Sequence, residues 1–82
     1  MAGHRVVAPP REQWATKGPQ TYFASIEAKT GRPIQDWLDL AAERLDAGDA
    51  HMAVVERLKT EHGLGHGHAN AVVAYAKAAI AG

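Results

Sequence analysis

Glycine occupies positions 63, 65 and 67, in a ten-residue run (61–70) that also holds three histidines, a glutamate and an asparagine. Apolar residues on both sides of this run recur at helical spacing. Glycine this dense costs a helix interior too much backbone entropy, yet it lets a chain turn sharply or approach a ligand closely. The run therefore predicts a tight turn between two helices. It also concentrates chemistry, because imidazole carries proton or metal chemistry and no other segment has comparable chemical content.

The rest of the pattern extends the same reading. Ile34, Trp37, Leu38, Ala41 and Leu45 fall at i, i+3, i+4, i+7 and i+11, predicting a helix from about Pro33 or Ile34 to Ala47. Asp36 in its first turn suits the helix dipole, and Gly48 ends it. A preceding helix is predicted from about Pro19 to Thr30, with Tyr22, Phe23, Ile26 and Thr30 inward and Gly31 as its stop. Asp49 is the expected N-cap of a third helix, from about Ala50 to His62, whose inner stripe is Met52, Val55, Leu58 and His62 with Val54 at the margin. A fourth begins within residues 65–68 and continues to about Ala79, its apolar face made by Ala69, Val72, Val73, Ala76 and Ile80. No segment reads as a strand, a repeat or a low-complexity tract. The expected fold is all-α, a compact bundle of four short helices with glycine-rich turns.

Eighty-two residues make one small domain in which burial narrowly exceeds chain entropy. With no cysteine, neither a disulfide nor a thiolate metal site staples it. Residues 1–18 hold Gly3, Pro9, Pro10 and Gly18 without an apolar period, and read as a flexible arm before a helical domain over 19–82. Trp14 is the exception, read as covering an edge of the core. The start of the chain lacks the apolar run of a signal peptide, and no stretch is long enough to span a membrane. The expectation is a soluble, cytoplasmic protein without a membrane partner.

Formal net charge is zero, but Asp36, Asp39, Glu43, Asp46 and Asp49 make the middle acidic. Such a distribution argues against a protein dominated by phosphate neutralisation, which needs a basic face.

Gly63-Leu64-Gly65, followed by His66-Gly67-His68-Ala69, resembles the turn of helix-hairpin-helix modules. In those modules a Gly-apolar-Gly turn joins two helices, the apolar residue points inward, and exposed backbone N–H groups grip a nucleic-acid phosphate. The resemblance implies Lys59, Gly63, Gly65, His66, Gly67, His68 and Asn70 as a nucleic-acid contact. Helix N-termini favour anions on general grounds too, through unpaired donors and the dipole. The competing reading is a hairpin that joins helices and binds nothing. Asn70 likewise either bonds a turn carbonyl or forms a polar patch with His66. If Gly65 adopts positive φ, Gly65→Val should damage the fold.

His62, His66 and His68, completed by Glu61 or His51, form a candidate zinc set, although a glycine turn separates the first two from a common helical face. Against it, His62 suits the negative pole of a helix end, and the other two suit solvent or carbonyl partners. Catalysis is not expected. Ser25 is the only serine and has no sequence reason to meet a histidine, Glu61 and His62 diverge on a helix, and no nucleotide loop or nucleophile elbow is present. No cofactor is expected.

Residues 22–31, then Trp37-Leu38 and residues 58–71, resemble an uncharacterised bacterial family of short domains of unknown function. The resemblance spans about residues 21–76. It implies a compact helical domain and supplies no activity, cofactor or catalytic residue. The leading expectation is a non-catalytic binding module touching nucleic-acid phosphates. The alternatives are a protein-interaction or structural domain and a histidine metal site. Alanines on the fourth helix suit either a monomer or a weak homodimer.

Overall fold

The structure, a computed structural model, describes residues 6–14 and 18–81. Four α-helices follow one another among them: α1, Phe23–Thr30; α2, Ile34–Asp46; α3, His51–His62; and α4, His66–Ala81. Two 3-10 turns, Arg11–Gln13 and Pro19–Tyr22, precede them, and no strand is present among the described residues. The all-α expectation is correct.

Helix α4 is the axis of the packing, touching α1, α2, α3 and the Pro19–Tyr22 turn. Its buried residues, Ala69, Ala71, Val72, Val73 and Ala76, are all small, so neighbouring helices come close and supply the bulk themselves. Phe23 and Ile26 from α1, Ile34, Trp37 and Leu38 from α2, and Val54, Val55 and Leu58 from α3 close around it. Trp14 and Tyr75 lie edge-on to Phe23, with ring centroids at 5.7 and 5.3 Å. Trp14 covers the edge of the core, as its size predicts.

Several details differ from the sequence expectations. The first predicted helix is split, because Pro19–Tyr22 is a 3-10 turn, and Tyr22 is half exposed. On α3, Met52 is 53% exposed and Val54 fully buried. The inner stripe is Val54, Val55 and Leu58, rotated from the one expected so that Val54 and not Met52 enters the core. Asp49 does not cap α3. Ala50 takes the N-cap position without a side-chain bond, while Asp49 forms a 2.9 Å pair with Arg44.

The expected arm is docked over its described stretch. Val6 is 2% exposed, and the Gln35 side chain holds the strap: its Nε2 donates to the Val6 carbonyl at 2.7 Å while its Oε1 accepts from the Ala8 N–H at 2.8 Å. Trp14 Nε1 donates to the Pro9 carbonyl at 2.9 Å. A composition poor in apolar residues hid this, because two buried side chains and one bidentate amide suffice to seat nine residues. Residues 1–5 and 15–17 of the expected arm lie outside the described residues.

The α3–α4 connection is three residues long. Gly63 has φ 71°, and its N–H donates to the Lys59 carbonyl at 3.2 Å. Leu64 is 4% exposed, and its N–H reaches back to the Leu58 carbonyl. Gly65 then opens α4, its carbonyl accepting from the Ala69 N–H at 2.9 Å. The left-handed residue of this hairpin is therefore Gly63 and not Gly65, whose φ is outside that region. The condition on which Gly65→Val was expected to harm the fold is not met. A Cβ added at either glycine meets nothing within 4 Å, so backbone strain alone separates them. Gly63→Ala should lower stability by about 1 kcal/mol, and Gly65→Ala should stay within about 0.5 kcal/mol of the parent. Urea denaturation of the two variants checks the order, and equal losses would contradict the assignment of strain to Gly63.

Candidate functional site

Helices α3 and α4 and their turn form the hairpin that the glycine pattern predicts, with Leu64 inside. At its tip Gly65, His66 and Gly67 are exposed. The first-turn N–H groups of α4 have no intrahelical acceptor, and no acidic residue occupies that turn.

The side chains around the tip are more dispersed than the sequence suggests. His68 turns partly inward, its ring centroid 6.1 Å from that of Tyr22, and its Nδ1 is buried without a hydrogen-bond partner. His62 packs edge-on against Trp37 at 5.3 Å. Asn70 bonds neither a turn carbonyl nor His66. Its Oδ1 lies 2.9 Å from His51 Nε2, tying the first turn of α3 to α4. Lys59 pairs with Glu56 at 3.3 Å, and Arg57 with Glu61 at 2.9 Å.

These placements also correct the metal reading. His51, His62, His66 and His68 each have different surroundings, and no group of three or more His, Asp or Glu among the described residues is arranged to hold a metal ion. The glycine turn is the reason. It sends His62 back along α3 toward Trp37, while His68 follows α4 round to Tyr22.

A second feature adjoins the hairpin on the side away from His68. Lys29, Thr30 and Arg32, at the end of α1 and in its turn to α2, face Glu61, His62, Gly63 and Leu64 across a cleft of about 400 Å³ with Trp37 in its wall. The Arg32 guanidinium lies 5.5 Å from the Trp37 ring centroid. The Trp37 indole N–H donates to Thr30 Oγ1 at 3.3 Å, and that hydroxyl donates to the Ile26 carbonyl at 2.7 Å. Sequence reasoning missed Lys29 and Arg32. The available signal was the parallel construction of Gly31 and Gly63, two helix-ending glycines each preceded by a basic residue within the last turn.

A family model described as a domain of unknown function (DUF4287) matches residues 18–78. The chain belongs to that family. The match takes in α1 to α3, most of α4, the hairpin and the cleft, and it excludes the docked strap with Val6 and Trp14. Neither the curated proteins nor the solved structures gave a match to the chain. Among the described residues no helix is long and apolar enough to cross a membrane.

The His51–Asn70 contact gives the hairpin a measurable lateral tie. Asn70→Ala should cost about 0.5–1.5 kcal/mol, and adding His51→Ala should cost little more, since the two side chains share one bond. Thermal or urea unfolding of the double-mutant cycle checks this. Fully additive losses would mean that each side chain acts through something else.

Proposed function

We propose that this domain is a non-catalytic binding module whose α3–α4 hairpin contacts the phosphate backbone of nucleic acid. The observation that supports this most is the tip of the hairpin: a left-handed Gly63, a buried Leu64, and an α4 start exposed at Gly65, His66 and Gly67 and free of acidic residues. That is the arrangement in which backbone donors and the helix dipole favour an anion. Lys59 is a usable partner despite its pairing with Glu56. Exposed ion pairs of this kind contribute about 0–1 kcal/mol, so exchanging a carboxylate for a phosphate costs little. His66 and Gly67 complete the face, with Gly63, Gly65, His68 and Asn70 shaping it from behind.

A protein-interaction role is the second reading, favoured by the exposure of Met52 and Tyr22. Large apolar side chains that the fold leaves about half exposed are available to a partner surface. Salt separates the two readings, because phosphate contacts release counterions and an apolar surface does not.

Titration of the protein with a short DNA duplex, followed by two-dimensional amide NMR at low salt, tests the leading reading. Shifts should concentrate at residues 64–70 and reverse as salt rises. Lys59→Ala should reduce the slope of log K against log salt by about one. An unmoved spectrum at low salt, or shifts indifferent to salt, would turn the assignment toward a protein partner.

A further inference from the structure

The cleft between the α1–α2 turn and the end of α3 collects positive charge that the fold does not consume. Lys29 and Arg32 are both exposed, and neither has an ion-pair partner among the described residues. Glu61, the one carboxylate in the wall, is held by Arg57 at 2.9 Å. Helices α1 and α3 both end here, and each helix end contributes roughly half a negative charge. Two full cations exceed those two half-charges, and the His62 imidazole adds a donor.

The geometry of the wall also suits an anion. Trp37 and Leu64 back the cleft at 3% and 4% exposure, while Lys29, Arg32 and His62 in its lining are exposed. Arg32 is set in the turn against the Trp37 ring, which limits its rotamers before any ligand arrives. Its planar fork suits two oxygens of one tetrahedral group, and Lys29 in the same lining is a second, compact charge. Thr30 has both roles of its hydroxyl engaged and serves to hold Trp37. The volume, about 400 Å³, is in the range of small-ligand sites.

We propose that this cleft binds a phosphate group, held by Lys29, Arg32 and the His62 imidazole. The ligands proposed for it, Lys29, Arg32 and His62, are not those of the hairpin-tip reading, although Gly63 and Leu64 border both. Its source is either a free phosphate or phosphorylated small molecule, or the terminal phosphate of a nucleic-acid strand.

The test is an amide and indole NMR titration with inorganic phosphate, with sodium chloride at matched ionic strength as reference. Saturable shifts are expected at residues 30–32, at the Trp37 indole N–H and at residues 62–64. Lys29→Gln and Arg32→Gln should each weaken the affinity about fivefold or more, and the pair should abolish it, while Lys59→Gln leaves it unchanged. Both altered side chains are exposed, so the melting temperature without phosphate reports whether the fold persists. The rise in melting temperature that phosphate gives the parent should be absent from the double variant. Shifts that sodium chloride reproduces, or binding that survives in the double variant, would overturn the proposal. A 5′-phosphorylated dinucleotide compared with its 5′-hydroxyl form separates the sources. Tighter binding of the first than of inorganic phosphate assigns a strand end, and equal affinity assigns the free group. Duplex DNA that moves residues 64–70 but not 30–32 would support the hairpin reading alone, so the two can fail separately.

Discussion

Helix α4 buries five residues, and none is larger than valine. Everything else in the fold follows from filling the space that leaves. A small-faced helix lets three others approach it at once, which suits a chain too short for two layers of bulky side chains. Close packing then has to come from the partners, and Phe23, Ile26, Trp37, Leu38 and Leu58 supply it. The hairpin fixes the arrangement because Leu64, in the middle of a three-residue turn, is driven into the same core. A turn anchored at its centre cannot swing, so the direction of α4 relative to α3 is set by one side chain and one left-handed glycine.

Short helices make helix ends a large part of the molecule, and polar side chains are spent on them. Glu27 bridges Arg11 of the strap at 2.7 Å and accepts the Ile34 N–H at the start of α2 at 2.6 Å, serving as a cap from outside the helix it caps. Thr30 stitches α1 to Trp37, and Gln35 stitches the strap to α2. No polar or charged residue is fully buried among the described residues. The bonds instead lie at the surface of the core, where water competes and each is worth a modest amount. Their role is to select one arrangement of closely packed helices over its neighbours more than to supply stability.

The helices were legible because their apolar residues recur at 3.6-residue spacing and their ends carry glycine. Ile34 to Leu45 shows the period without interruption, and α2 runs where it predicts. Legibility failed where periodicity does not reach. Periodicity cannot choose between Met52 and Val54 on α3, since that depends on how far the helix is rotated against α4. Val6 and Ala8 are held by a glutamine 29 and 27 residues away, a pairing with no local trace. The site was read in the same uneven way. The turn, the buried Leu64 and the exposed tip were all visible in Gly63-Leu64-Gly65. The dispersal of the histidines was not, because proximity in sequence says nothing once a left-handed residue reverses the chain.

Chemical density along a sequence and convergence in space are separate properties, and this hairpin divides them. Residues 61–70 contain three of the chain's five histidines and its one asparagine, yet Glu61 is paired with Arg57, Asn70 is tied to His51, and His62 and His68 point to different aromatic rings. Lys29 and Arg32 come from a stretch without histidine and meet the hairpin through the α1–α2 turn. The same physics produces both outcomes. A side chain near a helix end is drawn to whatever carbonyl, carboxylate or ring the turn offers, and a cation left without a carboxylate retains its charge for another use. Unspent charge beside a fixed apolar wall is therefore a better guide to a binding surface than the number of polar residues in a row. By that criterion the turn after α1 joins the hairpin tip as a proposed binding surface.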